Sequence, residues 1–227
     1  EEGRSIYENI QKFIRFLLST NLSEVLVVTI GAFAAFLLGM RDAAGNVLLP
    51  LTAAQLLWIN LVTDGAPALA LGLDRNPGVM ARPPRDPRAP LLDAPSLRFV
   101  VLSGSVKALV AAATLVLLPL WLNQSMEATR TAVFLLLAVG QLLFAYPARH
   151  TDLFPPPNVT VHLAVWVTFA VQLLVLWAPA FRHAFQAVPL PPAVLLWVAA
   201  SAALAWGLAE ALARTLWRPA RGGRRLA

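Results

Sequence analysis

Long apolar runs with few or no charges recur along this chain, each about as long as the roughly 20 residues a helix needs to cross about 30 Å of hydrocarbon. The runs cover about residues 13–38, 50–73, 97–122, 129–146, 159–178 and 192–213, and predict six membrane-spanning helices. A polar, helical lead-in occupies residues 1–12. A turn containing Arg41, Asp42, Gly45 and Asn46 closes the first span, and Gly65 and Pro67 interrupt the second, since both weaken a helical hydrogen-bond ladder. Residues 74–96 are too rich in proline and arginine for regular helix; Pro155-Pro156-Pro157 precedes the fifth span, and an arginine-rich tail fills residues 214–227. Antiparallel spans with short connections pack against their neighbours, so the predicted fold is an all-α membrane protein, a six-helix transmembrane bundle. Its parts are the lead-in, a helix pair over 13–73, the Pro/Arg-rich loop 74–96, a four-helix region over 97–213, and the basic tail.

Composition agrees. Of 227 residues, 58% are hydrophobic and 13% charged, where a soluble domain carries roughly 25% charged residues. No loop is long enough to fold as a catalytic or nucleotide-binding domain, which excludes a soluble enzyme or a secreted module. The absence of cysteine excludes disulfides, thiolate nucleophiles and cysteine metal sites, and leaves the redox compartment open. The net charge of +6 records topology. With the N-terminus in the cytoplasm, fourteen basic residues fall on that side and only Arg41, Arg130 and Arg182 on the other, so both termini are expected in the cytoplasm. The basic tail directly follows a span and reads as an anchor to the anionic lipid of the bilayer, with no nucleic-acid partner. Tryptophans 121, 166, 177, 197, 206 and 217 lie mostly towards span ends, as in an interfacial belt. The chain starts Glu1-Glu2-Gly3-Arg4 without methionine or a signal-peptide pattern, and is read as starting partway through a longer polypeptide.

Charge inside a span is costly and therefore informative. Glu24, Asp64 and Lys107 lie within spans, and Glu210 lies near an end of the last one. Asn21 and Glu24 are three residues apart and share a helical face; Asn60, Thr63 and Asp64 share one through i, i+3, i+4 spacing. Two adjacent spans thus each present a stripe of oxygen-bearing groups. Hard cations bind carboxylates, amides, hydroxyls and carbonyls, and a helix broken at Gly65 and Pro67 frees carbonyls to line a cavity. The competing reading is interhelical hydrogen bonding as packing glue; two acids with amides at matched depth favour ion coordination over it. Without cysteine or clustered histidine, soft metals are disfavoured. His150, His162 and His183 lie near different loops and read as solvated. For Lys107, snorkelling or a neutral buried amine competes with pairing to Glu210 and with a counter-charge near Gln141.

Four stretches resemble one family: Glu1-Glu2-Gly3-Arg4-Ser5-Ile6-Tyr7, Ser19-Thr20-Asn21-Leu22-Ser23-Glu24, Gln55-Leu56-Leu57-Trp58-Ile59-Asn60-Leu61-Val62-Thr63-Asp64-Gly65 and Arg82-Pro83-Pro84-Arg85. They are similar to the C-terminal membrane region of P-type cation-transporting ATPases, nearest to calcium pumps of the sarco/endoplasmic-reticulum type and their bacterial relatives. The likeness is specific over residues 1 to about 92; beyond that it rests on the number and spacing of spans. It implies helices five to ten of a ten-helix pump in a bacterial cytoplasmic membrane, with residues 1–12 as the end of a stalk. Cation ligation is implied for Asn21 and Glu24 on helix five and for Asn60, Thr63 and Asp64 on helix six, with Asp64 bridging two sites where two exist. On helix eight, Gln141 stands where reticulum-type pumps have glutamate and plasma-membrane calcium pumps have glutamine, which leaves one or two ions per cycle open; by itself it also reads as packing glue. Arg82, Pro83, Pro84 and Arg85 are implied to couple the phosphorylation domain to the ion site, where composition alone gives a stiff connector.

The resemblance further implies calcium as the transported ion, with manganese or a monovalent cation as alternatives, and ATP and magnesium only in the complete pump. The Asp-Lys-Thr-Gly phosphorylation motif and the Pro-Glu ligand loop of such pumps are absent from this chain. Hydrolysis of ATP and completion of the ion site are therefore expected to need the N-terminal part of the pump: helices one to four and the actuator, phosphorylation and nucleotide domains. Two readings of other classes remain: a self-sufficient secondary carrier exchanging a cation for protons, and a non-transporting membrane scaffold.

Overall fold

In the computed structural model the described residues are 2–37, 39–41, 45, 47, 49–77, 79–81, 90–151 and 155–217. They form a helical bundle. Helix α1 (Glu2–Leu37) joins the polar lead-in and the first span without a break. At 1.5 Å per residue its 36 residues reach about 54 Å, far more than hydrocarbon requires, so its polar start extends beyond the spans. The second span is built of α2 (Ala53–Trp58), a π-helical turn (Ile59–Thr63) and α3 (Gly65–Gly72). There follow α4 (Ala94–Leu122), α5 (Met126–Ala148), α6 (Val159–Trp177), the short α7 (Pro179–Ala184) and α8 (Pro192–Leu216). Among the described residues five of these helices are long and apolar enough to cross a membrane; the second expected span, being segmented, contains no single helix of that length.

Helix starts carry the side chains that backbone amides need. Thr52 and Gln55 form a reciprocal capping box at α2, and the side chains of Asp93, Ser125 and Asn158 accept from the first turns of α4, α5 and α6. The break in the second span falls earlier than Gly65 and Pro67 suggested. Those residues occupy the first turn of α3, where a proline's missing N–H goes unused. The irregularity lies in the preceding π turn and at Asp64, whose amide donates to Ile59 O at 2.9 Å. Pro67 still leaves the carbonyl of Thr63, four residues back, without its helical donor. The predicted freeing of carbonyls is thus retained, one turn nearer the polar residues.

Helix α5 is the centre of the bundle; its buried run Ala132–Ala138 packs with Val27 of α1, Ala111 of α4 and Val198 of α8 in one apolar core. A second core stacks Phe16, Phe99 and Phe144, with Phe144 centred 6.2 Å from Phe16 and 5.4 Å from Phe99. Helices α1 and α4 approach closely at Gly104, where an added Cβ would stand 3.1 Å from Ser19 O; beside it the Ser19 and Ser103 hydroxyls share a 2.9 Å hydrogen bond. Large apolar side chains face outward all round, among them Leu57, Leu69, Trp121, Leu163 and Leu196. Water would penalise that coat and lipid does not, which is the physical sense in which this is an integral membrane fold.

Candidate cation site

The polar residues singled out within the spans converge where α1, the π turn and α5 meet. Glu24, 5% exposed, accepts from Asn60 Nδ2 at its Oε2 and from Gln141 Nε2 at its Oε1, both at 2.7 Å. Each donor comes from a different span, so one carboxylate joins three segments distant in sequence. The π turn contributes directly: by widening the helix it presents Asn60 towards α1, while the Asn60 amide also donates to Leu56 O at 2.9 Å. Thr63 is fully buried and donates its hydroxyl to Ile59 O at 2.9 Å, which leaves its oxygen free to accept. Asn21 is exposed, but lines the same cavity of about 470 Å³ as Glu24, Thr29, Leu56 and Asn60.

Asp64 differs from Glu24. It is 1% exposed, and neither carboxylate oxygen has a hydrogen-bond partner among the described residues. The Thr20 hydroxyl interacts with the Asp64 carboxylate, though the hydrogen bond it donates, at 3.0 Å, goes to Leu17 O. Gln141 Oε1 is likewise buried and unpartnered. Buried polar atoms are nearly always satisfied, and a group left bare loses its full hydration without return. Carboxylate, amide and hydroxyl oxygens are the kind of donors that hard cations such as calcium take. No group of three or more histidine, cysteine, aspartate and glutamate side chains arranged to hold a metal occurs among the described residues. Any cation here would draw on neutral oxygens as well as the two acids.

Lys107 does not reach an interface. It is 6% exposed, and its ammonium stands 3.8 Å from the centroid of the Phe144 ring, within range of the Asp64 and Glu24 charges. It does not pair with Glu210, which instead meets His150 Nε2 at 3.0 Å and accepts from Arg214 Nε at 2.8 Å. His150 is accordingly buried and not solvated: the chain after α5 folds back under α8, and Arg15 of α1 donates to the His150 carbonyl at 2.8 Å.

A second polar cluster, missed by reading the sequence, lies at the end of the bundle shared by the start of α1 and the end of α5. Asp74 is its centre. Its carboxylate accepts from Lys12 Nζ at 2.8 Å, from Arg149 Nε and Nη2 at 3.0 Å each, and from Asn158 Nδ2 at 2.6 Å. Asn9 holds the Asp74 carbonyl at 2.8 Å, and Asn76 bridges Lys12 and Asn9 at 2.6 and 2.7 Å. Burial acts to raise the Asp74 pKa, but hydrogen bonds from Arg149, Lys12 and Asn158 outweigh it and hold the carboxyl below its ordinary value. Lys12 and Arg149 had been read only as markers of topology. The available signal was Asn9 and Lys12 at i, i+3 on one face of α1, followed by an acid just past the second span.

The loop residues Arg82, Pro83, Pro84 and Arg85 lie outside the described residues.

Comparison with known proteins agrees with this picture. The sequence profile described as "Cation transporting ATPase, C-terminus" matches residues 48–215. The chain belongs to that family. The matched region starts just before the π-helical span and ends within α8, so it contains Asn60, Thr63, Asp64 and Gln141, while Asn21 and Glu24 precede it. A calcium-transporting ATPase of Bacillus subtilis (strain 168) is 36% identical over 200 residues, which cover 85% of this chain and 21% of that relative. The chain thus spans about a fifth of the length of the curated relative it matches. Membership of the cation-transporting ATPases and the outward apolar coat together establish an integral membrane region of a P-type cation pump.

Proposed function

We propose that this chain supplies part of the transmembrane calcium site, and the helical frame around it, of an ATP-driven calcium pump of the bacterial cytoplasmic membrane. The observation that carries the reading is the pair of acids inside the spans: Glu24 cross-linked by Asn60 and Gln141, and beside it Asp64 with both oxygens bare. In this reading Asn21, Glu24, Asn60, Thr63, Asp64 and Gln141 are the ligands. Residues 13–73 form the ion-site pair and 97–213 the supporting region. The loop 74–96, through Arg82, Pro83, Pro84 and Arg85, meets the phosphorylation domain. The name of the Bacillus relative supports calcium as the cargo. Both termini lie in the cytoplasm by the distribution of basic residues.

Dehydrated calcium needs six to eight oxygens. Releasing Glu24 from its two amide donors would free its carboxylate oxygens, beside a Gln141 Oε1 that is already unpartnered. Protonation of the two acids on the release side then weakens cation binding and supplies counter-transported protons. Energy comes from the rest of the pump, where ATP and magnesium act. The test is calcium uptake by the intact pump reconstituted in vesicles. Asp64→Asn, which keeps the shape and removes the charge, is expected to reduce uptake to background with little change in the melting temperature without calcium. Undiminished uptake would refute the reading.

A further inference from the structure

The second span is held from two sides. On one, Asn60 of the π turn donates to Glu24 of α1. On the other, Trp58, the residue from which the chain enters the π turn, donates from Nε1 to Gln172 Oε1 of α6 at 2.7 Å. Two residues along a helix turn the side chain by about 200°, so these contacts lie on roughly opposite faces of the span. The Trp58 ring also meets Phe185 and Phe181 edge-on, with centroids 4.9 and 6.0 Å away. Gln55, three residues earlier and on the same face, donates to Phe185 O at 3.0 Å. Gln172 is 1% exposed, and its Nε2 has no hydrogen-bond partner among the described residues. Turning the amide over would not relieve this, because the Trp58 N–H needs an acceptor opposite it. A packing role accounts poorly for such a residue. A leucine would fill similar space without an unpaired buried donor, whose lost hydration goes unreturned. What the glutamine oxygen adds is a fixed direction for Trp58.

We propose that Gln172 is a positioning residue of the cation site, acting through Trp58 to fix the rotation of the second span so that Asn60 meets the Glu24 carboxylate. The inference rests on the calcium reading above. A π turn bonds i to i+5, one residue more than an α-helical turn. Relaxing it to α-helix would turn the segment before it by about 100° relative to α3 and swing Asn60 away from α1. Trp58 is the last α-helical residue before the turn, so holding its side chain opposes that slip. Helix α6 accompanies the turn beyond Trp58 as well: Thr168, one helical turn before Gln172, is buried and lines a cavity of about 650 Å³ together with Asn60 and Gly65. A site whose ligands come from two spans depends on this rotation, because an amide and a carboxylate must come within about 3 Å of each other.

Equilibrium binding of radioactive calcium to the intact pump tests this. Trp58→Phe keeps a ring and removes the N–H; Gln172→Leu removes the acceptor. Each is expected to weaken calcium binding by about 3- to 20-fold, the range set by interhelical hydrogen bonds of average to greatest strength. The double variant should lose no more than either alone, since the same bond is lost in all three. Trp197→Phe is the matched control. It removes a bond of the same kind, from Trp197 Nε1 to Thr114 Oγ1 at 3.1 Å between α8 and α4, and is expected to leave calcium affinity within about 2-fold of the wild type. Asn60→Ala should weaken binding at least as much as Trp58→Phe. If Gln172→Leu fails to fold, Trp58→Phe is read against the control alone. Wild-type affinity in Trp58→Phe, equal weakening in Trp197→Phe, or unchanged affinity in Asn60→Ala overturns the proposal. No calcium on the wild type would instead overturn the calcium reading itself.

Discussion

The bundle holds two buried polar clusters built from similar side chains, and they are finished differently. At the end shared by α1 and α5, Asp74 receives two cations and an amide, and all of its carboxylate's buried neighbours find partners. Inside the spans, Asp64 has no cation or amide donor and only the Thr20 hydroxyl beside it, and Lys107 makes no hydrogen bond, though each feels the other's charge. A satisfied network makes a fold rigid and specific, whereas one with bare acceptors is complete only when something else arrives. The first cluster therefore reads as structure, joining α1, the exit of the second span, the end of α5 and the start of α6. The second reads as a site.

Breaking the Asp74 cluster should have the largest effect on stability. Asp74→Ala strands Lys12 and Arg149 in a buried position, and removing one partner of a buried ion pair costs about 3–5 kcal/mol. A large drop in the melting temperature of the purified protein in detergent is expected. Asp64→Asn, equally buried, should cost far less, because no hydrogen-bonded ion pair is broken. Equal losses from both would erase the contrast between the clusters.

Acid sharpens it further. The folded Asp74 carboxyl has a pKa below its unfolded value, so its stabilisation is fully present above the unfolded aspartate pKa of about 3.9 and is lost as pH falls through the folded value. Thermal melts recorded from pH 6 downward should therefore show little contribution from this group to the slope until about pH 4, and a falling melting temperature below it. Asp74→Asn should flatten that fall. A wild-type slope preserved in the variant would mean that other carboxylates carry it.

The smallest effect is expected at the rim. Arg214 pairs with Glu210 one helical turn away, but its side chain is 52% exposed. Arg214→Ala should change stability by no more than about 0.5 kcal/mol, because solvent screens such pairs and the side chain's freedom offsets them. A shift as large as that of Asp74→Ala would show that the Glu210–His150 contact depends on Arg214 and belongs to the same structural network.

Much of this molecule was legible from its chain. Runs of apolar residues long enough to span lipid fixed the all-α bundle, and the scarcity of charge within them marked Glu24 and Asp64. The i, i+3, i+4 spacing of Asn60, Thr63 and Asp64 was read as a shared face, and two of those residues are indeed buried at the junction with α1. The role of the break was read a turn too late, because Gly65 and Pro67 are strong local signals while a π turn has none. The Asp74 cluster escaped because its members are separated by more than 60 residues in the chain, from Lys12 to Asp74 and from Asp74 to Arg149.

Local periodicity and hydropathy are properties of short windows, so the sequence by itself determined the all-helical membrane bundle and which polar residues had to be explained. Which of those residues are satisfied and which are bare depends on partners from distant segments. Only the tertiary structure decided that Gln141 and Asn60 close on Glu24, that His150 is drawn to Glu210, and that Lys107 rests on the Phe144 ring without bonding to Asp64. Hydrogen bonding acts over about 3 Å, and only the folded chain brings residues so far apart in sequence within that distance.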